Sequence, residues 1–89
     1  MSDEEPVAEV MAARLRQVFR PRLLVVEDES EGHRGHAGWR DGGQTHFHIA
    51  LDAPELDGLS RLARHRAVHA ALGPEVIGRI HALRLSLGQ

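Results

Sequence analysis

Histidine is the residue type in this sequence best suited to chemistry. Seven histidines occur among 89 residues, whereas cysteine is absent. Histidine binds borderline metal ions and carries protons near neutral pH. Because the chain has no thiol, a cysteine nucleophile, a disulfide or a cysteine-based metal site cannot come from this chain alone. The positions of the histidines therefore decide which chemistry the sequence offers.

Two pairs of histidines have spacings that fit either a metal site or an ordinary structural role. His33 and His36 lie three residues apart in a glycine-rich stretch, which could bind metal or form a polar loop. His46 and His48 project to one side of a predicted strand. We place that strand at a sheet edge, where two histidines are more often surface residues than ligands.

The other three histidines lie in the second half of the chain. His65 and His69 have the i,i+4 spacing of a helical chelate, but the string lacks the glutamate of an HExxH motif. The structural alternative for His65 is a partly buried histidine that positions its helix. In the last predicted strand, His81 projects to the same side as Leu83, Leu85 and Leu87. Spacing alone therefore favours a buried, hydrogen-bonded histidine there.

Hydrophobic periodicity predicts an α+β order in which these histidines are positioned. The second helix can be capped by Asp57 or Ser60 and closed by Gly73, with Pro74 opening a short helical turn. A loop occupies 28–43. The predicted elements are a helix at about 6–20 stopped by Pro21, strands at 23–27 and 44–51, a helix to about residue 72, a short helix and a strand at 81–87. We therefore predict a three-stranded sheet with helices packed on one face.

Length and composition predict one domain without an enclosed active site. Residues 1–5 are expected to be a flexible N-terminus and residues 6–89 a single domain, of which folding buries about 60–65% of the unfolded surface. No acid, base and nucleophile converge, so we do not expect an enzyme. Neither a signal peptide nor a bilayer-spanning run is evident. The formal net charge of −2 argues against wholesale nucleic-acid binding.

Several short motifs, taken together, resemble the BolA family in order and spacing. The combination of Thr-His-Phe, Arg-His-Arg and His-Ala-Leu is specific, and the resemblance runs from about Val7 to Leu87. The segments that carry it are Glu27–Ser30, His36 with its glycines, Thr45–Phe47, Gly58–Arg66 and Ile80–Leu83. The resemblance implies a class II KH-like fold, α-β-β-α-(short α)-β, with a three-stranded mixed sheet covered by helices on one face.

The resemblance also implies a function as a non-enzymatic adaptor. BolA-like proteins form heterodimers with monothiol glutaredoxins, bridged by a 2Fe–2S cluster. In that family the BolA-like protein contributes two ligands to the cluster. The resemblance implies that one is His81, at the start of the last strand. The other would be His36, or alternatively His33, in the loop between the first two strands. The glutaredoxin and glutathione would supply the thiolates, so the chain holds no cofactor alone. Cluster transfer or assembly, storage and iron sensing all remain open roles.

Two other functions stay open on the sequence. A nucleic-acid-binding transcriptional regulator would use Arg61, Arg64 and Arg66 on the second helix. Three features oppose this hypothesis. The net charge is negative, and the second helix lacks aromatic residues on which bases could stack. The GxxG string at 32–35 lies between two predicted strands, whereas the GxxG clamp of a KH domain lies between two helices. A small zinc module would use His33, His36 and an acidic neighbour. We expect a monomer or weak homodimer, no membrane association, and a location in the bacterial cytoplasm or an organellar matrix.

Overall fold

The computed structural model describes residues 6–29 and 46–88. These ranges contain two helices, a 3₁₀ turn and three strands, in the order helix, strand, strand, turn, helix, strand. The expected flexible N-terminus at 1–5, the GxxG string at 32–35, and both His33 and His36 lie outside the described residues.

The first helix, α1, spans Val7–Val18 and buries one apolar face. Val7, Met11 and Leu15 recur at helical spacing and are buried. The helix ends two residues earlier than predicted, because Phe19 adopts an extended conformation and turns its ring into the core. Pro21 favours extended backbone in the residue before it, so the chain leaves the helix ahead of the proline.

The second helix, α2, spans Arg61–Ile77 and is interrupted at Gly73. Ser60 is its N-cap, since its hydroxyl accepts a hydrogen bond of 3.1 Å from the amide of Ala63. Gly73 has φ 85° and ψ 156°, a conformation that strongly favours glycine. Pro74 follows directly and begins the final helical turn. The prediction of a helix closed at Gly73 and followed by a short helix is therefore confirmed.

The sheet is three-stranded and mixed. Strand β1 is Leu23–Asp28, β2 is His46–Asp52 and β3 is Ala82–Ser86, in the order β1-β2-β3. β1 and β2 pair antiparallel, whereas β2 and β3 pair parallel. The expectation that β2 lies at a sheet edge is wrong. Since α2 carries the chain across the sheet, β3 returns on the free side of β2 and makes it the central strand.

The core lies between the helices and one face of the sheet. Phe47, Ile49 and Leu51 point inward from β2 and are buried, as their alternation predicts. On β1, by contrast, Leu23 and Val25 are exposed on the opposite face. The buried hydrophobic set is Val7, Met11, Leu15, Phe19, Phe47, Ile49, Leu51, Ala53, Leu56, Val68, Leu72, Val76 and Leu87. The predicted α+β class and the mixed three-stranded sheet are confirmed.

A 3₁₀ turn at Pro54–Leu56, which was not predicted, follows β2 and lies near a group of ion pairs. Arg22 contacts Asp52 at 2.9 Å and Asp57 at 2.8 Å. Hydrogen bonds from Arg22 to Asp57 and then Asp52 raise the pKa of this guanidinium above its usual value. These pairs tie the start of β1 to the end of β2, opposite the end of the sheet where His46 begins β2.

Neither helix in the described ranges combines the length and the hydropathy that crossing a membrane requires.

Candidate functional site

His81 lies in a bend immediately before β3, and its side chain is exposed. Spacing alone favoured a buried histidine there, and that expectation is wrong. The strand begins at Ala82, so the alternation that buries the inward leucines does not extend back to the histidine. Exposure leaves the imidazole accessible to a partner.

His46, the first residue of β2, is the neighbour of His81. Their ring centroids lie 5.2 Å apart and the ring planes are inclined by 52°. His46 is only 5% exposed, so the expectation of an ordinary surface residue is wrong for it. Sequence reasoning missed the pair because it depends on the parallel register, in which His46 is opposite Ala82.

The ends of the segment that carries His33 and His36 are attached at this same place. The amide of Glu29 donates a hydrogen bond of 2.7 Å to the carbonyl oxygen of His46. The last residue described before that segment is therefore bonded to the first residue described after it, which is the neighbour of His81. We call Glu29, His46 and His81 the histidine end of the sheet. That His36, or alternatively His33, acts together with His81 stays a prediction.

A shallow depression opens beside the two histidines. Its volume is about 190 Å³, and its lining residues are Glu29, His46, Phe47, Ala82, Leu83 and Arg84. It adjoins the start of both parallel strands. The histidine end thus combines an exposed imidazole with a concave surface.

His48 belongs to a polar network on the uncovered face of the sheet. Its ring donates from Nδ1 to Glu27 at 3.1 Å, and its Nε2 lies 2.8 Å from the hydroxyl oxygen of Ser86. Glu29 pairs with Arg84 at 2.7 Å. Possible ligand atoms of Glu27, Glu29 and His48 lie within 4.8 Å of one another. Since every one of these groups already has a protein partner, the arrangement cross-links the three strands.

The three arginines of the nucleic-acid hypothesis are divided between a cleft and a groove that share His65 as a lining residue. Arg64 donates to the carbonyl oxygens of Leu59 at 3.1 Å and Leu87 at 2.7 Å, and also to that of Gly88. Arg61 and Arg64 line a cleft of about 490 Å³. Arg66 instead lies with the helical histidines.

His65 and His69 keep their i,i+4 spacing on α2, and His65 also lines the cleft of Arg61 and Arg64. Together with Arg66 they line an open groove. His65 is half-buried, in agreement with the structural interpretation of a helix-positioning histidine, whereas His69 is exposed. This groove is lined by α2 residues alone, and it is separate from the histidine end.

Known proteins match this chain over most of its length. The family profile described as BolA-like protein matches residues 15–88. BolA-like protein 1 of Bos taurus is 40% identical over 80 residues, which cover 90% of this chain and 56% of that protein. An uncharacterized protein in the cobS 5' region of Sinorhizobium is 37% identical over 78 residues, covering 86% of this chain and 84% of that protein. The chain thus spans little more than half of the length of the mammalian relative.

The fold has solved counterparts. The structure of BolA1 from Arabidopsis thaliana superposes with a TM-score of 0.78 at 30% identity, covering 94% of this chain and 92% of that one. The motifs that resemble the family, the matching profile and the shared fold agree with one another. The chain belongs to the BolA family.

Proposed function

We propose that this chain is a non-enzymatic adaptor that binds a monothiol glutaredoxin and shares a 2Fe–2S cluster with it. His81 and one loop histidine, His36 or alternatively His33, are the ligands from this chain. The observation that carries the proposal is the position of His81. It is exposed at the end of the sheet where the segment bearing both loop histidines is attached.

The donor chemistry of the histidine end fits such a cluster. An exposed imidazole offers a nitrogen to iron, and the chain contains no cysteine. The thiolates must therefore come from the glutaredoxin and from glutathione. When bound, a cluster with histidine in place of cysteine on one iron has a raised reduction potential. Because imidazole binds metal only in its neutral form, His81 also makes retention of the cluster dependent on protons.

Cluster transfer or iron sensing is consistent with these ligand properties. A histidine ligand competes with protons for the metal, which provides a route to release of the cluster. The depression beside His46 and His81 gives a partner a concave surface on which to dock. The chain supplies the imidazole and the docking surface, while the partner supplies the sulfur ligands.

The competing hypothesis of a nucleic-acid-binding regulator receives less support from the geometry. The guanidinium of Arg64 is already engaged by backbone carbonyl oxygens. Titration of labelled duplex DNA at several salt concentrations tests it. A regulator would show a sequence preference and a salt dependence that Arg61→Ala weakens.

Reconstitution with a monothiol glutaredoxin tests the adaptor proposal. The complex is assembled anaerobically with iron, sulfide and glutathione, then compared by visible circular dichroism and by electron paramagnetic resonance after reduction. We expect His81→Ala to alter both spectra. His69→Ala, which removes an exposed histidine from α2, is the matched control and should leave them unchanged.

The same experiment distinguishes the loop ligands. His36→Ala is expected to change the spectra, and His33→Ala to leave them close to those of the wild type. The reverse pattern would assign the ligand to His33. If neither His81→Ala nor the double variant of His33 and His36 changes the spectra, the chain does not ligate the cluster and the proposal fails.

A further inference from the structure

His46 is a buried imidazole that contacts the exposed imidazole of the proposed ligand. It is 5% exposed, and its ring centroid lies 5.2 Å from that of His81. The proposed function uses His81 and the loop, but assigns nothing to His46.

The two rings differ in burial. His46 is 5% exposed at the start of the central strand, where it pairs with Ala82. His81 is exposed and lies in a bend, one residue before Ala82. Because a buried ring is held by the side chains packed around it, it can restrict the movement of an exposed ring that contacts it. The centroid separation of 5.2 Å lies within the range of interacting aromatic rings.

We propose that His46 is a positioning residue for His81, acting through contact between their rings. The inference rests on the proposed function, because it concerns how that ligand is presented. The His46 ring limits the rotamers of His81 before the partner arrives, so less side-chain freedom is lost when His81 binds iron. Metal-binding histidines are commonly oriented by groups that accept a hydrogen bond from the second ring nitrogen, and removal of such a group weakens metal binding. The ring contact of His46 restricts His81 to the same effect.

Nuclear magnetic resonance on the chain alone tests the ring contact without any glutaredoxin. We expect His46→Ala to shift the ring proton signals of His81 and to increase the mobility of its side chain. His46→Phe keeps an aromatic ring and should preserve the restricted mobility. Unchanged His81 signals and relaxation in His46→Ala would overturn the inference, and so would a His46→Phe variant as mobile as the alanine variant.

Folding of each variant is checked by its backbone amide spectrum and its melting temperature. If His46→Ala does not fold, His46→Leu replaces it, because leucine fills the buried volume without providing a ring face. Under the proposal His46→Leu loosens His81 as alanine would. A leucine variant with wild-type mobility at His81 would show that bulk alone matters and would overturn the inference.

The glutaredoxin complex provides the second measurement. We expect roughly tenfold faster loss of the cluster from complexes of His46→Ala, the low end of the effect of removing a residue that orients a metal ligand. His46→Phe is expected to retain the wild-type rate, whereas wild-type retention by the alanine variant contradicts the positioning role. If the wild-type chain forms no cluster complex, the proposed function fails, and the resonance experiment still decides whether His46 restricts His81.

Discussion

The guanidinium of Arg14 donates a hydrogen bond of 2.8 Å to the carbonyl oxygen of Leu72, joining α1 to α2 at the point where α2 is interrupted. Gly73, the next residue, leaves the helical conformation. The same arginine contacts Glu75 at 3.2 Å. Arg14 therefore caps the first part of α2 from the neighbouring helix.

Replacement of Arg14 tests this inter-helix cap. We expect Arg14→Ala to lower the free energy of unfolding by about 1 kcal/mol, chiefly through the lost bond to Leu72, because the exposed pair with Glu75 adds little. For a domain of this size that is roughly a 4–8 °C fall in melting temperature. Arg16→Ala, an exposed arginine on the same helix, is the control for chemical or thermal denaturation. Equal effects of both variants would contradict a specific role.

The glycine at the interruption gives a second prediction. We expect Gly73→Ala to destabilise the fold by about 1–3 kcal/mol, because its backbone conformation strongly disfavours a side chain. An added Cβ would also lie 3.0 Å from the guanidinium of Arg14. A double-mutant cycle with Arg14→Ala separates these causes. Additive losses indicate backbone strain, whereas relief in the double variant indicates the clash.

Arg64 and Arg61 lie on the same helix but are expected to respond differently to substitution. Arg64→Ala removes hydrogen bonds to Leu59, Leu87 and Gly88, so we expect a loss of about 1–2 kcal/mol in stability. Arg61 is exposed, and Arg61→Ala should leave the unfolding transition nearly unchanged. Urea denaturation of both variants provides the comparison. A stable Arg64→Ala protein would show that this arginine does not fasten the C-terminal end of β3.

His48 offers a test of the polar network that is independent of the proposed cluster ligands. His48→Ala loses the interactions with Glu27 and Ser86, and we expect it to reduce stability by about 1 kcal/mol. Its glutaredoxin complex should nevertheless show the wild-type visible spectrum. Thermal denaturation and circular dichroism measure the two properties separately. A changed cluster spectrum at full stability would instead place His48 in the cluster site.

The sequence predicted those features of the fold that depend on neighbouring residues in the chain. The alternation around Phe47, Ile49 and Leu51 identified the buried face of β2, because side chains of a strand alternate in direction. Gly73 and Pro74 marked the interruption of α2 through their backbone preferences. The 3₁₀ turn after β2 and the early end of α1 at Phe19 depend on how the core accommodates neighbouring segments.

The order of the strands, and the side chains that contact each histidine, could not be predicted from such local patterns. Nothing within β2 indicates that β3 will pair beside it, so the strand was placed at an edge. The contact between His46 and His81 follows from that pairing and from its register. His81 itself was singled out by its family context, whereas alternation placed it wrongly inside the core.

The parallel pairing of β2 with β3 makes the histidine end one of the last parts of the chain that can be completed. The two strands are separated in sequence by all of α2, and such distant contacts form slowly compared with local ones. A nascent or partly unfolded molecule can contain every histidine and still lack the pair. Under the proposed function, a chain could share a cluster only once the whole domain had folded, so partly unfolded chains would not take part.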